Sequence, residues 1–357
     1  MKYFLVAGEQ SGDQHGAELI KALTKLDQNS TFYGIGGEKM KGTGLKCLYN
    51  QSDLSFMGFS DVVLNLPKLL QIFNSTKNSI LEIAPDVLIL IDSAGFNLRL
   101  AKYASKANIK VVYFIPPKVW AWGRWRLKKL RKYIDEIIVL FPFEKEYFKN
   151  LGLKAHYFGS HQMALNLADR KINQVALLPG SRLQELKKML PVFIKTATNN
   201  PNWEFKMCGI ASIEREYYLE TKYPPNLILV TDHTHEILAQ SAAAVVTSGT
   251  ATLEACLLRT PQVVTYKTSW LNYLLGRLLI QVKFISLVNL ILDKHVVEEL
   301  IQSQCTPQKI TNELKRLTNS KKRDLLLTDY EKVIAKLGNE RPYLKTAELA
   351  IKVAKQP

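Results

Sequence analysis

The chain has 357 residues, of which 47% are hydrophobic and 22% charged, and it carries a formal net charge of +16. That length exceeds one typical core and suits two domains of about 100–200 residues each, while the composition excludes a disordered or collagen-like chain. The charge favours an anionic partner: a phosphorylated substrate, an acidic membrane surface or nucleic acid. The four cysteines, Cys47, Cys208, Cys256 and Cys305, show no C-x-x-C spacing, and the six histidines form no H-E-x-x-H pattern, so neither a disulfide framework nor a metal site is expected.

The strand-like run Tyr3–Ala7 opens the chain without the charged, apolar and small-residue succession of a signal peptide. A glycine turn, Ala7–Asp13, leads to an amphipathic stretch at His15–Leu26, then to a strand at Thr31–Ile35 that ends in Gly36-Gly37. Phe56–Phe59 and Val62–Phe73 form an apolar region that suits either a lobe helix or a surface for acyl chains. Val87–Ile91 is the strongest strand of this half, followed by a helical Leu98–Ala107 and strands at Lys110–Ile115, Glu136–Leu140 and Lys154–Phe158. The polar segment Leu167–Gln174 reads as a linker. The pattern then restarts with strands at Val175–Leu178, Glu204–Cys208, Leu227–Val230, Ala244–Val246 and Gln262–Thr265, and the tail from Thr306 is helical. Short apolar runs alternating with helices predict parallel sheets wrapped by helices, here in two Rossmann-like lobes with a cleft between them. No apolar stretch reaches the eighteen or so uncharged residues of a spanning helix; Trp270–Leu292 is broken by Arg277 and Lys283. A soluble protein, or one lying on a membrane, is expected.

Two turns in the second half carry the most chemistry. Leu178–Arg182 (LPGSR) and Thr247–Ala251 (TSGTA) each follow a strand and precede a helix. That placement aims backbone N–H groups and a helix dipole at a phosphate. Gly180, Ser181, Ser248, Gly249 and Thr250 are therefore candidates for holding a nucleotide diphosphate, with Arg182 for its charge and Glu254 for a sugar hydroxyl. In the first half, Gly8 and Gly12 permit a tight turn, and Glu9, Ser11 and Asp13 bring polar groups to its mouth as a helix cap or a substrate loop. Asp92, at the carboxyl end of its strand, suits a general base, a sugar-hydroxyl ligand or an N-cap. Lys118–Lys132 holds seven basic residues, three tryptophans and no acid. Trp120, Trp122, Arg124, Trp125, Arg126, Lys128 and Lys129 suit an anionic bilayer better than RNA, since no RNA-binding signature accompanies them; the plainer alternative is a solvated basic helix with tryptophan packed inward.

These residues together resemble bacterial lipid-A-disaccharide synthases over nearly the whole length. The matching segments are Ala7–Asp13, Gly36-Gly37 with Met40, Met57-Gly58, Asp92 with Phe96-Asn97, and Val119–Trp122. Pro142–Glu144, Leu177–Arg182, Ser248–Glu254 and Ser286–Leu290 complete the set. The resemblance implies an inverting glycosyltransferase of the α/β GT-B fold, two Rossmann-like lobes whose parallel sheets face a central cleft. It places an acceptor and membrane-facing lobe at 1–166, a final helix at about 341–357 crossing back to it, and a UDP-sugar lobe at 167–340. It implies transfer from UDP-2,3-diacylglucosamine to 2,3-diacylglucosamine 1-phosphate (lipid X), giving the β-1,6-linked disaccharide 1-phosphate and UDP, with no cofactor and no metal. The implied partners are these substrates and the anionic inner-membrane surface, not nucleic acid, with a homodimer left open. The implied location is the cytoplasmic face of the inner membrane. Asp92 is the first choice for the base, with Glu9 and Asp13 behind it; Asn289 is implied to shape the donor site, and Met57, Ser11 and Gly12 to lie on the acceptor side. Two departures stand out. Gly95 occupies a position where some members carry a second carboxylate, and the turn that often reads Gly-His is Gly159-Ser160-His161 here. The alternatives are another UDP-sugar GT-B enzyme with a lipid acceptor, and a non-catalytic paralogue that binds acylated sugar phosphates.

Overall fold

The computed structural model describes residues 1–54, 65–160, 169–209, 222–279, 282–318, 320–338 and 341–356. The chain forms two compact units, residues 1–161 with 339–357, and residues 162–338.

Unit 1 alternates strands and helices: β1 (Lys2–Ala7), α1 (Gln10–Leu26), β2 (Thr31–Gly36), α2 (Glu38–Lys41), β3 (Leu45–Asn50), α3 (Leu66–Ile83) and β4 (Val87–Ile91). It continues with α4 (Ala94–Lys106), β5 (Lys110–Phe114), α5 (Leu127–Tyr133), β6 (Glu136–Ile138), α6 (Pro142–Asn150) and β7 (Ala155–His156). The sheet order is β3-β2-β1-β4-β5-β6-β7, and the pairs are parallel. Strand β4, Val-Leu-Ile-Leu-Ile, is buried at every position, as a parallel strand covered on both faces must be. Its alternate residues serve two cores. Val87, Ile89 and Ile91 pack with Tyr3, Leu5 and Ala7 against α1, whereas Leu88 and Leu90 join Phe4 and Val6 against Ile72 and Leu100 on the opposite face.

Unit 2 comprises β8 (Lys171–Leu178), α7 (Leu183–Thr198), β9 (Glu204–Gly209), β10 (Leu227–Thr231), α8 (Thr234–Gln240), β11 (Ser241–Thr247) and α9 (Ala251–Leu257). Next come β12 (Gln262–Tyr266), α10 (Trp270–Leu279), α11 (Leu287–Leu292), β13 (Glu299–Ile301), α12 (Pro307–Leu317) and α13 (Ser320–Leu337). Its parallel sheet runs β10-β9-β8-β11-β12-β13. Counted from its own first strand, that is the same third-second-first-fourth-fifth order as in unit 1. The last helix, α14 (Pro342–Ala354), belongs to unit 1. It seats Ala347, Ala350 and Val353 in the α1 core, and the Tyr343 hydroxyl lies 2.9 Å from His15 Nδ1. Burial there pushes the His15 imidazole down to about 4.

The elements differ from the sequence reading in four places, one of them the unanticipated edge strand β13. Helix α1 starts at Gln10, so Ser11, Gly12 and Asp13 lie in its first turn and not in a loop. Residues 171–174, read as linker, extend β8, with Lys171 paired to Ser241 of β11. Strand β3, not anticipated, adds an edge beside β2; its mostly half-buried residues lack a clear apolar period.

Candidate active site

In an open parallel sheet the chain leaves the first and fourth strands in opposite directions, and the crevice between those strand ends is where ligands bind. Each unit places some of the residues singled out in the sequence at this point. In unit 1 the register Ala7↔Ile91 sends Gly8-Glu9 and Asp92-Ser93 out of the sheet side by side. In unit 2 the register Leu178↔Val246 does the same for Pro179–Arg182 and Thr247–Thr250.

The unit 1 crevice is built on strained backbone. Asp92 and Ser93 both have left-handed geometry, φ 53° and 42°, a conformation that costs a non-glycine residue about 1 kcal/mol or more. Three contacts stabilise it. Asn97 Nδ2 donates to the Asp92 carbonyl at 2.8 Å, the Tyr113 hydroxyl donates to the same carbonyl at 2.6 Å, and Ser93 N–H donates to Asp92 Oδ1 at 2.9 Å. Gly8 completes the fit, because a Cβ there would sit 2.5 Å from Ser93 Oγ. Burial, reinforced by the Glu9 charge, pushes the Asp92 carboxyl up to about 6, while Ser93 N–H and the Lys118 charge oppose the rise. A carboxylate with that proton affinity suits general-base work near neutral pH. Lys118 follows β5 and was not singled out as a site residue; its signal is Ile115-Pro-Pro-Lys118 leaving the neighbouring strand end, with Ile115 itself at φ 62°.

Asp13 has a different role from the one expected. Its carboxylate is buried and accepts N–H bonds from Gly37 at 2.6 Å and from Lys39 and Met40 at 3.1 Å each. It caps α2 and is withdrawn from the catalytic set. Gly12 is also buried, with Ala7 and Ile91 as its neighbours, so it packs α1 on the sheet; Ser11 is exposed on the same turn. The Gly36-Gly37 and Met40 pattern is architectural too: the Met40 thioether fills the space over Gly16 and Gly36. Met57 and His161 lie outside the described residues.

The basic tryptophan segment divides into two parts. Trp120 turns inward: its indole N–H donates to Glu144 Oε1 at 2.8 Å and its ring meets Phe143 edge-on at 4.9 Å. Glu144 Oε2 accepts from Leu140 and Phe141 N–H groups, closing the start of α6. Burial raises the Glu144 carboxyl, and these hydrogen bonds oppose it. This explains why the two sequence segments occur together, and it corrects the placement of Trp120 on the membrane side. Val119 and Leu130 are buried in the core, and the remaining tryptophans face solvent. Trp122 and Trp125 are 44% and 64% exposed, with the Arg126 guanidinium 4.2 and 5.4 Å from their ring centroids. Arg124, Lys128 and Lys129 are exposed beside them.

In unit 2 the turns carry exposed or lightly held groups. Gly180 has φ +106°, and Ser181 N–H donates to Glu185 Oε2 at 3.0 Å, so an acidic side chain occupies the donor that a phosphate would take. The Arg182 side chain is 76% exposed and 3.9 Å from the Glu185 carboxylate. Ser248 Oγ donates to the Ile285 carbonyl at 2.8 Å. A Cβ at Gly249 would have the Thr247 carbonyl oxygen 4.0 Å away, an ordinary contact, and Thr250 leads into α9. One turn on, Glu254 Oε2 lies 3.0 Å from His235 Nε2, a contact the sequence did not suggest.

Asn289 is not available to a ligand. It is fully buried; Oδ1 accepts from Val296 and Val297 N–H groups, and Nδ2 donates to the Val297 carbonyl and Glu299 Oε1. Glu299 also accepts from the Ile285 and Ser286 N–H groups. The Ser286–Leu290 segment is therefore an internal brace, and Asn289 reaches the Thr247–Ala251 turn only indirectly, since Ile285 in the braced stretch holds Ser248.

The chain is similar throughout to proteins of one kind. A family model described as lipid-A-disaccharide synthetase matches residues 3–353. The lipid-A-disaccharide synthase of Myxococcus xanthus (strain DK1622) is 33% identical over 373 residues, covering 99% of this chain and 97% of its own. That of Syntrophus aciditrophicus (strain SB) is 38% identical over 330 residues, 87% and 86% of the two chains. Among solved structures, the calicheamicin glycosyltransferase CalG4 superposes with a TM-score of 0.65 at 12% identity, covering 98% of each chain, and shares the fold. Methanocaldococcus jannaschii UDP-GlcNAc 2-epimerase, in complex with UDP-GlcNAc and UDP, gives 0.61 at 12% identity over 99% of this chain and 100% of its own. With the fold, the paired crevices and these full-length similarities in agreement, the chain belongs to the lipid-A-disaccharide synthase family of GT-B glycosyltransferases.

Proposed function

We propose that the protein joins UDP-2,3-diacylglucosamine to 2,3-diacylglucosamine 1-phosphate with inversion, forming the β-1,6-linked disaccharide 1-phosphate and releasing UDP. The observation that carries this reading is the unequal furnishing of two equivalent crevices: a half-buried carboxyl beside a second acid in unit 1, and glycine-serine turns with Arg182 and Glu254 in unit 2. The acceptor's 6-hydroxyl oxygen attacks the anomeric carbon from the face opposite the diphosphate while its proton passes to Asp92. The electron pair of the breaking C–O bond leaves with UDP. Arg182 and the 180–181 and 248–250 turns steady the charge that develops on the diphosphate, and Glu254 holds the ribose hydroxyls. A diphosphate entering this site displaces Glu185 from Ser181 N–H.

The acceptor is acylated and phosphorylated, and the exposed Trp122–Arg126–Trp125 stack with its neighbouring lysines suits its headgroup and an anionic inner-membrane surface. Among the described residues no helix is long and apolar enough to cross a membrane; the proposed substrates put the protein at the cytoplasmic face of the inner membrane. Acceptor-dependent release of UDP from UDP-2,3-diacylglucosamine in detergent, with EDTA present and the disaccharide 1-phosphate identified as product, tests the proposal. Folded protein that binds UDP and yet gives no such product overturns it.

A further inference from the structure

We propose that α10 of unit 2 inserts into an anionic lipid bilayer, as a contact separate from the tryptophan segment of unit 1. Trp270, Leu274 and Leu278 recur every four residues along this helix, and they are 69%, 59% and 73% exposed; Leu279 beside them is 54% exposed. Such spacing puts them on one face. Large apolar side chains are seldom left in water as a contiguous stripe, so the stripe marks a surface with a partner.

The charge around the stripe identifies that partner. From Ala255 to Leu292 the sequence has no acidic residue, while it carries Arg259, Lys267, Arg277 and Lys283. Arg259 is held by Glu331, and Lys283 lies 3.5 Å from Asp293. Among the described residues no carboxylate pairs with Arg277, which is exposed on α10 itself, or with Lys267 just before it. A short helix with tryptophan at its start, leucines on one face and unneutralised cations matches the requirements of an interfacial anchor: apolar area for the acyl boundary, indole for the headgroup level, cations for anionic headgroups. A second copy of the chain fits less well. It would bring an identical cationic face and a further net +16 to the contact, and four side chains on one short helix supply far less than the roughly 1,600 Å² of a stable protein interface.

The test is flotation with vesicles of phosphatidylglycerol and phosphatidylcholine, compared with pure phosphatidylcholine. The triple variant Trp270→Ser, Leu274→Ser, Leu278→Ser is expected to lose about tenfold or more of its partitioning onto the anionic vesicles. Thermal unfolding and UDP binding verify its fold. Arg277→Glu, which leaves the apolar face intact, should weaken anionic binding alone and keeps the proposal testable if the triple variant misfolds. Partitioning unchanged in both variants overturns the proposal. So does a wild-type dimer that the triple variant dissociates without change in vesicle binding, which reassigns the face to a second copy. Loss of turnover on detergent-dispersed substrates with vesicle binding intact also overturns it, reassigning the stripe to substrate acyl chains. Because flotation needs no substrate, its outcome is separate from that of the proposed transferase reaction.

Discussion

The crevices of the two units have the same strand order and opposite chemistry. At the β1/β4 crevice the acid is held by the fold: Asp92 is bent into left-handed geometry, anchored by Asn97 and Tyr113, and has its acidity weakened by partial burial and by Glu9. At the β8/β11 crevice the fold offers turns whose charged side chains, above all Arg182, extend into solvent. The comparison teaches that this topology supplies a place for a ligand, whereas the residues on the two emerging loops decide whether that place performs chemistry or binds charge. A proton acceptor must be tuned by its surroundings before substrate arrives. A diphosphate brings its own charge and needs only donors that can be freed.

Substitutions can separate these two roles. Replacing Asp92 by Asn should lower kcat by about 100- to 10,000-fold, with UDP affinity from calorimetry unchanged; a comparable loss of UDP affinity breaks the division of labour. Asn289→Ala removes four hydrogen bonds from a buried site and should cost about 2–4 kcal/mol in denaturant unfolding. Unaltered stability with lost UDP binding would restore Asn289 as a ligand. Arg182→Ala should raise the donor KM by roughly tenfold with a smaller change in kcat, as expected for an exposed charge that contributes binding.

The pH profile sharpens the unit 1 side. Asp92 must be ionised to accept a proton, so kcat/KM should rise through an apparent pKa of about 6 that belongs to the Asp92–Glu9 pair. Glu9→Gln removes a negative neighbour and should shift that limb to lower pH. The same upward shift favours the protonated form in the folded state, so its stabilising contribution is present below the ordinary aspartate range and is lost as pH rises through about 6. The smallest effect is expected at Gly95, where a Cβ would meet nothing within 4 Å. Gly95→Asp should fold normally and change kcat by less than about threefold if Asp92 is the base. A gain beyond tenfold transfers the role to the carboxylate at position 95.

Much of this molecule was legible because its strands announce themselves. Val87–Ile91 and Ala242–Val246 are uninterrupted apolar runs, each ended by small polar residues, and that pattern locates both strand ends and the turns beyond them. What was not legible is which polar residues the fold would consume internally. Asp13, Trp120 and Asn289 sit within segments that carried the family resemblance, and each is committed to a structural bond with a residue elsewhere along the chain: Asp13 to Gly37 and Met40, Trp120 to Glu144, Asn289 to Glu299. Lys118 was missed for the complementary reason, since its closeness to Asp92 follows from β5 lying beside β4.

Beyond the family, which came from a resemblance over whole segments, the sequence by itself determined the alternation of strands and helices, the two turns suited to phosphate and the acid at the end of β4. These are local signals: periodicity, glycine at a turn, a run of β-branched residues. Tertiary structure alone decided that Asp92 is strained and half-buried beside Glu9, that Asp13 and Asn289 are braces, and that α10 leaves Leu274, Leu278 and Leu279 exposed. Each of those depends on which distant backbone N–H, side chain or solvent a group meets once the sheets assemble, and neighbours of that kind are set by strand order and packing.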